Sequence, residues 1–183
     1  LMLIRCKLNA MKKIVLFFIL IIAFATSYSQ VTTRFISLNP DSSFKEIPFY
    51  SVDVIDARTN KENIGYVFKG IGNKRIPAQF EDGFLPHLNK FCTTILPKED
   101  AKIGLILIIR KLSITDHTNA QYSYSDCQIE IEFAKKIEDK LYSLGIFDTQ
   151  LIGNTNRNLH SKRIEEGVFH CLRKLNRTNW HIT

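Results

Sequence analysis

Long apolar runs, metal-ligand spacings and catalytic signatures are what this 183-residue sequence lacks. Its longest apolar run, Ile14 to Phe24, is about a dozen residues. A bilayer-spanning helix needs roughly 20, so this segment is not expected to remain as a membrane anchor. The five histidines, His87, His117, His160, His170 and His181, show no H-x-x-x-H spacing, and none stands in ligand register with a cysteine. They read as scattered surface residues, and no metal is expected. Glycine is sparse, with eight residues. Gly70-Ile71-Gly72-Asn73-Lys74-Arg75 begins like a phosphate-binding loop, but the third glycine and the following helix are both missing. Ile76-Pro77 continues it as extended chain, so a hairpin exit is predicted, with Lys74 and Arg75 as the cations that could still meet an anion.

Neither a G-x-S-x-G elbow nor a cysteine-protease signature occurs. Two carboxylate pairs exist, and both have structural explanations. Glu130 and Glu132 follow from a strand with one wet face, and Glu165 and Glu166 from the favourable dipole at a helix start. No third polar anchor stands beside either pair, so no catalytic residue, enzyme activity or cofactor is expected.

What is present begins with an export signal. From Met11, Lys12 and Lys13 form the positive n-region, Ile14 to Phe24 the apolar h-region, and Ala23-Phe24-Ala25 a cleavage pattern, with Ser27 and Ser29 offering a second. Leu1 to Ala10 read as an over-extended gene start. Residues 1–29 are therefore set aside, leaving 30–183 as one domain large enough to bury a core. All four basic residues of the leader, Arg5, Lys7, Lys12 and Lys13, leave with it and no acid does. The remainder carries 21 basic against 18 acidic residues, a formal charge of +3. That excess is too small to argue for nucleic acid.

Pro40 to Ser43 marks a turn after a short strand over 33–38. From Ile47 the pattern firms into a strand ending at Asp56, and Ile64 to Lys69 reads as a second, the two making an antiparallel hairpin. Phe84, Leu88, Phe91, Cys92 and Ile95 recur at helical spacing, with Asp82 as N-cap and Pro86 tolerated in the first turn. Lys102 to Thr115 is the organising strand. Leu105, Leu107 and Ile109 alternate with Ile106 and Ile108, so its first half is apolar on both faces, and Lys111 and Ser113 then restore polarity. A bulge near Arg110 would change the register there. Otherwise something covers a second apolar face: the 33–49 segment, a partner, or an apolar ligand on Leu105, Leu107 and Ile109. After a turn over 116–121, Cys127, Ile129, Ile131 and Phe133 alternate with Gln128, Glu130 and Glu132. A further strand spans 140–152, with Gly145 as a bulge. Ser161 then caps an amphipathic helix whose stripe is Ile164, Val168, Cys171, Leu172 and Leu175. The expected fold is α+β, a two-layer sandwich of a mainly antiparallel sheet of about 4–6 strands with two helices on one face.

Two features suggest binding or crosslinking. The last helix presents Lys162, Arg163, His170, Arg173, Lys174 and Arg177, a basic face that could meet anionic lipid or an acidic partner. Cys92, Cys127 and Cys171 remain after leader removal, which allows one disulfide and a leftover thiol. Cys127 reads as a small buried hydrophobe, whereas Cys92 and Cys171 lie on inward helix faces and could be bridged.

The order of parts resembles the small YajG-like envelope lipoproteins and related transport-auxiliary proteins of Gram-negative bacteria. The matching parts are the Val54-Ile55-Asp56-Ala57-Arg58 strand exit, Ile64-Gly65, a helix, Leu105 to Leu112, the Ile129-Glu130-Ile131 alternator and a C-terminal helix, across most of 48–178. The resemblance implies a non-catalytic role in envelope maintenance or as an accessory subunit. This chain departs from it where a lipid-anchor cysteine would follow the h-region, at Thr26 to Gln30. The expectation is thus an exported binding or accessory protein, periplasmic or secreted. Its rivals are a carrier of an apolar, lipid-like ligand and a secreted hydrolase whose residues assemble only in space.

Overall fold

One strand, Ile103–Thr118, carries the sheet, and it is longer than the sequence pattern suggested because Asp116 to Thr118 continue it instead of turning. The computed structural model describes residues 32–39, 48–70, 72–98, 103–119, 121–138, 140–155 and 159–178. The expected leader, the Pro40 to Ser43 turn and Lys102 lie outside them. In chain order the elements are β1 (Arg34–Ile36), β2 (Phe49–Asp56), β3 (Gly65–Lys69), β4 (Lys74–Phe80), α1 (Phe84–Ile95), β5 (Ile103–Thr118), β6 (Ser123–Ile137), β7 (Lys140–Asn154) and α2 (Leu159–Arg177).

The class is α+β, but the sheet has seven strands and is mixed, where about 4–6 mainly antiparallel ones were expected. Along the main path the order is β1-β4-β3-β5-β6-β7, with β2 also paired to β5. β5, β6 and β7 form an antiparallel meander, and β3 and β4 a hairpin. The β1–β4, β2–β5 and β3–β5 pairs are parallel. The predicted β2–β3 hairpin is therefore wrong. β2 pairs with β5 from Ile103 to Ile109 and β3 pairs with it at Ile114 and Thr115, so the two lie end to end along one edge of β5. The 57–64 segment moves the chain from one pairing to the next instead of reversing it.

Arg110 is the step between these two halves. Ile109 faces Ile131 and Lys111 faces Glu130, which leaves Arg110 as the extra residue of a bulge. An extra residue in a period-two strand exchanges its faces. Before the bulge Leu105, Leu107 and Ile109 are buried; after it Leu112, Ile114 and Asp116 are. A second bulge at Leu144, beside Gly145, interrupts β7 in the same way, as its glycine suggested.

Both helices pack into one continuous core with the inner sheet face. Leu88, Phe91, Cys92 and Ile95 of α1 and the whole predicted stripe of α2 are buried. Burying each such side chain is worth about 1.5–3 kcal/mol relative to exposure, which explains why two amphipathic helices dock here. Their ends differ from expectation. Gly83, not Asp82, occupies the N-cap of α1, and no side chain caps it. Asp82 instead lies 3.8 Å from Nδ1 of His87. α2 starts at Leu159, so Ser161 sits inside its first turn. Among the described residues no helix is long and apolar enough to cross a membrane.

The proposed apolar binding face fails here. Leu105, Leu107 and Ile109 are at most 2% exposed and packed within the protein's own core. The described part of the 33–49 segment joins that same inner layer, with Ile36 and Leu38 in the core. The bulge is present, and Ile106 on the opposite face is buried as well, so the register changes and part of the second face is also covered.

Gly65 makes the β3–β5 junction possible. Its φ is +121°, and a Cβ there would run into the Ile114 carbonyl. Gly65→Ala should therefore lose about 2–4 kcal/mol in urea unfolding, combining left-handed backbone strain with a steric clash that backbone must move to relieve. Gly72→Ala, where a Cβ meets open space, should stay within about 0.5 kcal/mol of wild type.

Candidate anion-binding groove

The bulge places a concave surface on the outer face of the sheet. A groove of about 510 Å³ runs there, lined by Tyr66 of β3, Arg75 of β4, Arg110, Lys111, Ser113 and Thr115 of β5, Glu130 of β6, and Arg58, Thr59, Asn60 and Asn63 of the connecting segment. Four cations thus meet one nearby carboxylate. Their availability differs.

Arg58 is a structural clip. Its Nε and Nη2 donate to the two carboxylate oxygens of Asp56 at 2.9 and 3.0 Å, and Nη1 donates to the Asn63 carbonyl at 3.0 Å. Its guanidinium also lies 3.3 Å from the Phe84 ring centroid. This planar fork ties both ends of the segment between β2 and β3. Burial disfavours the charge on Asp56, but the hydrogen bonds and charge of Arg58 outweigh it and hold the carboxyl below its usual range. Arg110 is half-committed. Its Nε and Nη2 donate to Glu132 at 3.0 and 2.5 Å, while the side chain remains 43% exposed. Hydrogen bonds from Ser143 and Arg110 keep the Glu132 carboxyl below its usual range.

Arg75 and Lys111 have no carboxylate partner among the described residues. Arg75 lies 4.6 Å over the ring of Tyr66, so a planar cation and an aromatic face form one wall. Polar groups of Asn60, Asn63, Ser113 and Thr115 complete the lining. Such a surface holds a negatively charged polar chain or solute; no nucleophile–base pair is assembled in it. The sequence pattern marks Arg75 as a possible anion contact, the neighbourhood of Arg110 as one place for a bulge, and Glu130 as a wet-face residue. Arg58, Tyr66 and Lys111 were missed as partners, since β3, β4 and β5 meet only through long-range pairing.

A second polar centre lies inside. Asp116 Oδ1 is 2.9 Å from His160 Nε2, and Oδ2 accepts the Phe68 N–H at 2.9 Å. Both side chains are about 3% exposed. Burial opposes the Asp116 charge, yet the His160 and Phe68 hydrogen bonds, with the Ser125 hydroxyl beside it, pull its carboxyl below the usual range. These three residues are the buried titratable cluster a hydrolase would need, but their order is wrong. A catalytic histidine stands between serine and carboxylate, whereas here His160 bonds to the carboxylate and the Ser125 hydroxyl lies on the carboxylate side, without a hydrogen-bond partner of its own. His160 and His87 also correct the expectation of surface histidines. His87 Nε2 accepts the Leu38 N–H at 2.9 Å, its ring stacks 4.8 Å from Phe80, and burial pushes its imidazole pKa down.

The basic face of α2 is smaller than predicted. Arg163 is buried, donating to the Asn154 carbonyl, and Lys174 donates to the Asp148 carbonyl, both on β7. Cys171 makes a third such contact, to Phe147 O at 3.5 Å. These side chains satisfy carbonyls of a long edge strand that would otherwise invite pairing. Lys162, His170, Arg173 and Arg177 stay exposed. The structure brings His170, Arg173, Lys174 and Arg177 around one shallow depression of about 360 Å³, and leaves Lys162 outside it.

The Cys92–Cys171 disulfide is absent; Cys92, Cys127 and Cys171 are free and buried. α1 packs on β2 and β4 and α2 on β6 and β7, so the two sulfurs belong to opposite halves of the helix layer.

No protein-family model and no curated protein matches the chain. Among solved structures, it is similar to a Xanthomonas campestris protein described as DUF330, at 7% identity and a TM-score of 0.40, covering 79% of this chain and 92% of that one. A likeness of that size carries no argument about fold or function.

Two outcomes follow. Burial pushes each of the three thiols up to about 12. They should resist alkylation in the folded protein at mildly alkaline pH and react fully in denaturant, as counted by intact mass. Asp116 and His87 both have folded pKa values below their unfolded ones, so the stability each lends is complete above its unfolded value and is lost as pH falls. Urea unfolding should weaken first below about 6.5 through His87 and again below about 3.9 through Asp116. Asp116→Asn should reduce the second decline, to which Asp56 and Glu132 also contribute, and cost about 1–3 kcal/mol near neutral pH.

Proposed function

We propose that this chain is an exported, non-catalytic binding or accessory protein of the bacterial cell envelope, and that the groove at the β5 bulge is its working surface. The reading has it periplasmic or secreted and holding an acidic segment of an envelope protein partner. The observation that carries it is the groove itself, in which Arg75 and Lys111, neither in ion-pair contact among the described residues, outnumber Glu130 on a concave, polar wall beside Tyr66. Concavity suits an extended segment or a solute better than a flat lipid surface. The export signal and the resemblance to YajG-like and transport-auxiliary envelope proteins support the same role, although the anchor cysteine of those lipoproteins is missing from its expected place.

A second reading concerns α2, whose His170, Arg173, Lys174 and Arg177 flank one depression suited to anionic lipid headgroups. The apolar carrier is the weaker alternative, because the inner-face side chains that would line its cavity are already packed in the core.

A photo-crosslinking residue at Ser113, in protein expressed in its native envelope, tests the groove. A discrete protein adduct is expected. Arg75→Glu with Lys111→Glu should reduce its yield at least about tenfold, the effect of replacing two attractive charges with repulsive ones. Unchanged adduct in that double variant, or stoichiometric lipid recovered by extraction in place of a protein adduct, overturns the proposal.

A further inference from the structure

β3 and β5 run parallel for only two paired positions, Gly65 with Ile114 and Tyr66 with Thr115, and then part. Beyond that point the Phe68 N–H turns to the Asp116 carboxylate instead of a strand carbonyl. The opening leaves a partly enclosed cavity of about 90 Å³. Val67 and Ile76 form its apolar wall, Thr33, Arg34 and Lys69 contribute polar groups, and His160 enters from the first turn of α2. Crevices beyond the carboxyl ends of diverging parallel strands, facing a helix N-terminus, are favourable places for anions.

His160 provides the independent sign of a ligand. It is 2% exposed, its Nε2 is committed to Asp116, and its Nδ1 has no hydrogen-bond partner. A buried polar atom without a partner costs free energy, about 1–3 kcal/mol, unless something occupies the space beside it. Asp116 does not line the cavity; its two oxygens are engaged by lining residues, the Phe68 N–H and His160 Nε2, so the carboxylate stands behind the wall and the cations Arg34 and Lys69 must outweigh it. No acidic residue lies in the first turn of α2. The cavity is too small for a nucleoside and suits a tetrahedral oxyanion.

We propose that this crevice is an oxyanion site, separate from the groove, which holds a phosphate group between His160 Nδ1, Arg34, Lys69 and the start of α2. While Nε2 donates to ionised Asp116, Nδ1 carries no hydrogen, so one proton must accompany the anion. Hydrogen phosphate brings it on one of its own oxygens, which donates to Nδ1. The charged groups around His160 in this step are Asp116 from β5, Arg34 from β1 and Lys69 from β3.

Calorimetric titration of the whole protein with inorganic phosphate, in buffers of different ionisation enthalpy at mildly alkaline pH, tests this. One site without net proton uptake is expected, because hydrogen phosphate carries its own proton. Arg34→Ala with Lys69→Ala, both outside the core, should weaken it at least about tenfold, as loss of two charge-assisted contacts predicts. Arg75→Ala in the groove should leave binding unchanged. Sedimentation with phosphatidylcholine vesicles, with and without phosphatidic acid, distinguishes the source. Co-sedimentation that needs phosphatidic acid and is lost in the Arg34/Lys69 variant assigns the site to a lipid headgroup; binding of soluble phosphate alone assigns it to a free anion. No phosphate binding, binding indifferent to the Arg34/Lys69 pair, or binding lost instead in Arg75→Ala overturns the proposal. Those results would leave the Ser113 crosslinking test untouched.

Discussion

The extra residue at Arg110 is the constraint on which this architecture depends. Without it, a strand sixteen residues long would keep one parity, and the side chains inward at Leu105, Leu107 and Ile109 would be followed by Lys111, Ser113 and Thr115 on the same face. Those polar groups would enter the core at a cost no pairing there could offset. The bulge keeps both halves of β5 apolar inside and puts three polar side chains outside. It also delivers Asp116 to the interior, where His160 meets it. The outer groove and the inner crevice are consequences of one shift in register.

The same shift sits opposite the change of partner along the other edge of β5. β2 ends at Asp56 beside Ile109 and β3 begins at Gly65 beside Ile114, and Arg58 holds the segment between them by bonding to Asp56 and to Asn63. Two short parallel pairings in succession are weaker than one continuous ladder. A bidentate ion pair stacked on Phe84, and a glycine that permits close approach at Ile114, compensate at that seam. Closer packing also shapes the helix layer: at Gly167 a Cβ would collide with Ile129, so α2 lies nearer to β6 than a bulkier residue allows.

Charge allocation explains why composition misjudged the surfaces. The predicted basic face of α2 counted six groups by helical position alone. Arg163 and Lys174 turn to β7 carbonyls, and Arg58 and Arg110 bind carboxylates, so long basic side chains act here as hydrogen-bond donors to the chain's own backbone and acids. A charge is available to a partner only after such demands are met. That leaves Arg75 and Lys111 in the groove, which sequence spacing could not bring together because β4 reaches β5 only through β3.

By itself the sequence determined the local facts: where most strands and both helices run, which face of each helix is apolar, and the alternation of β6; a break in register near Arg110 it offered only as one of two alternatives. These follow from periods of 2 and 3.6 residues and need no knowledge of neighbours. Tertiary structure decided the rest. Pairing order turned an expected β2–β3 hairpin into two parallel neighbours of β5, and helix placement kept Cys92 from Cys171. Burial converted His87, His160 and Asp116 from surface or turn residues into interior ones. In each case the deciding quantity is distance between residues far apart in the chain, which a local pattern does not contain.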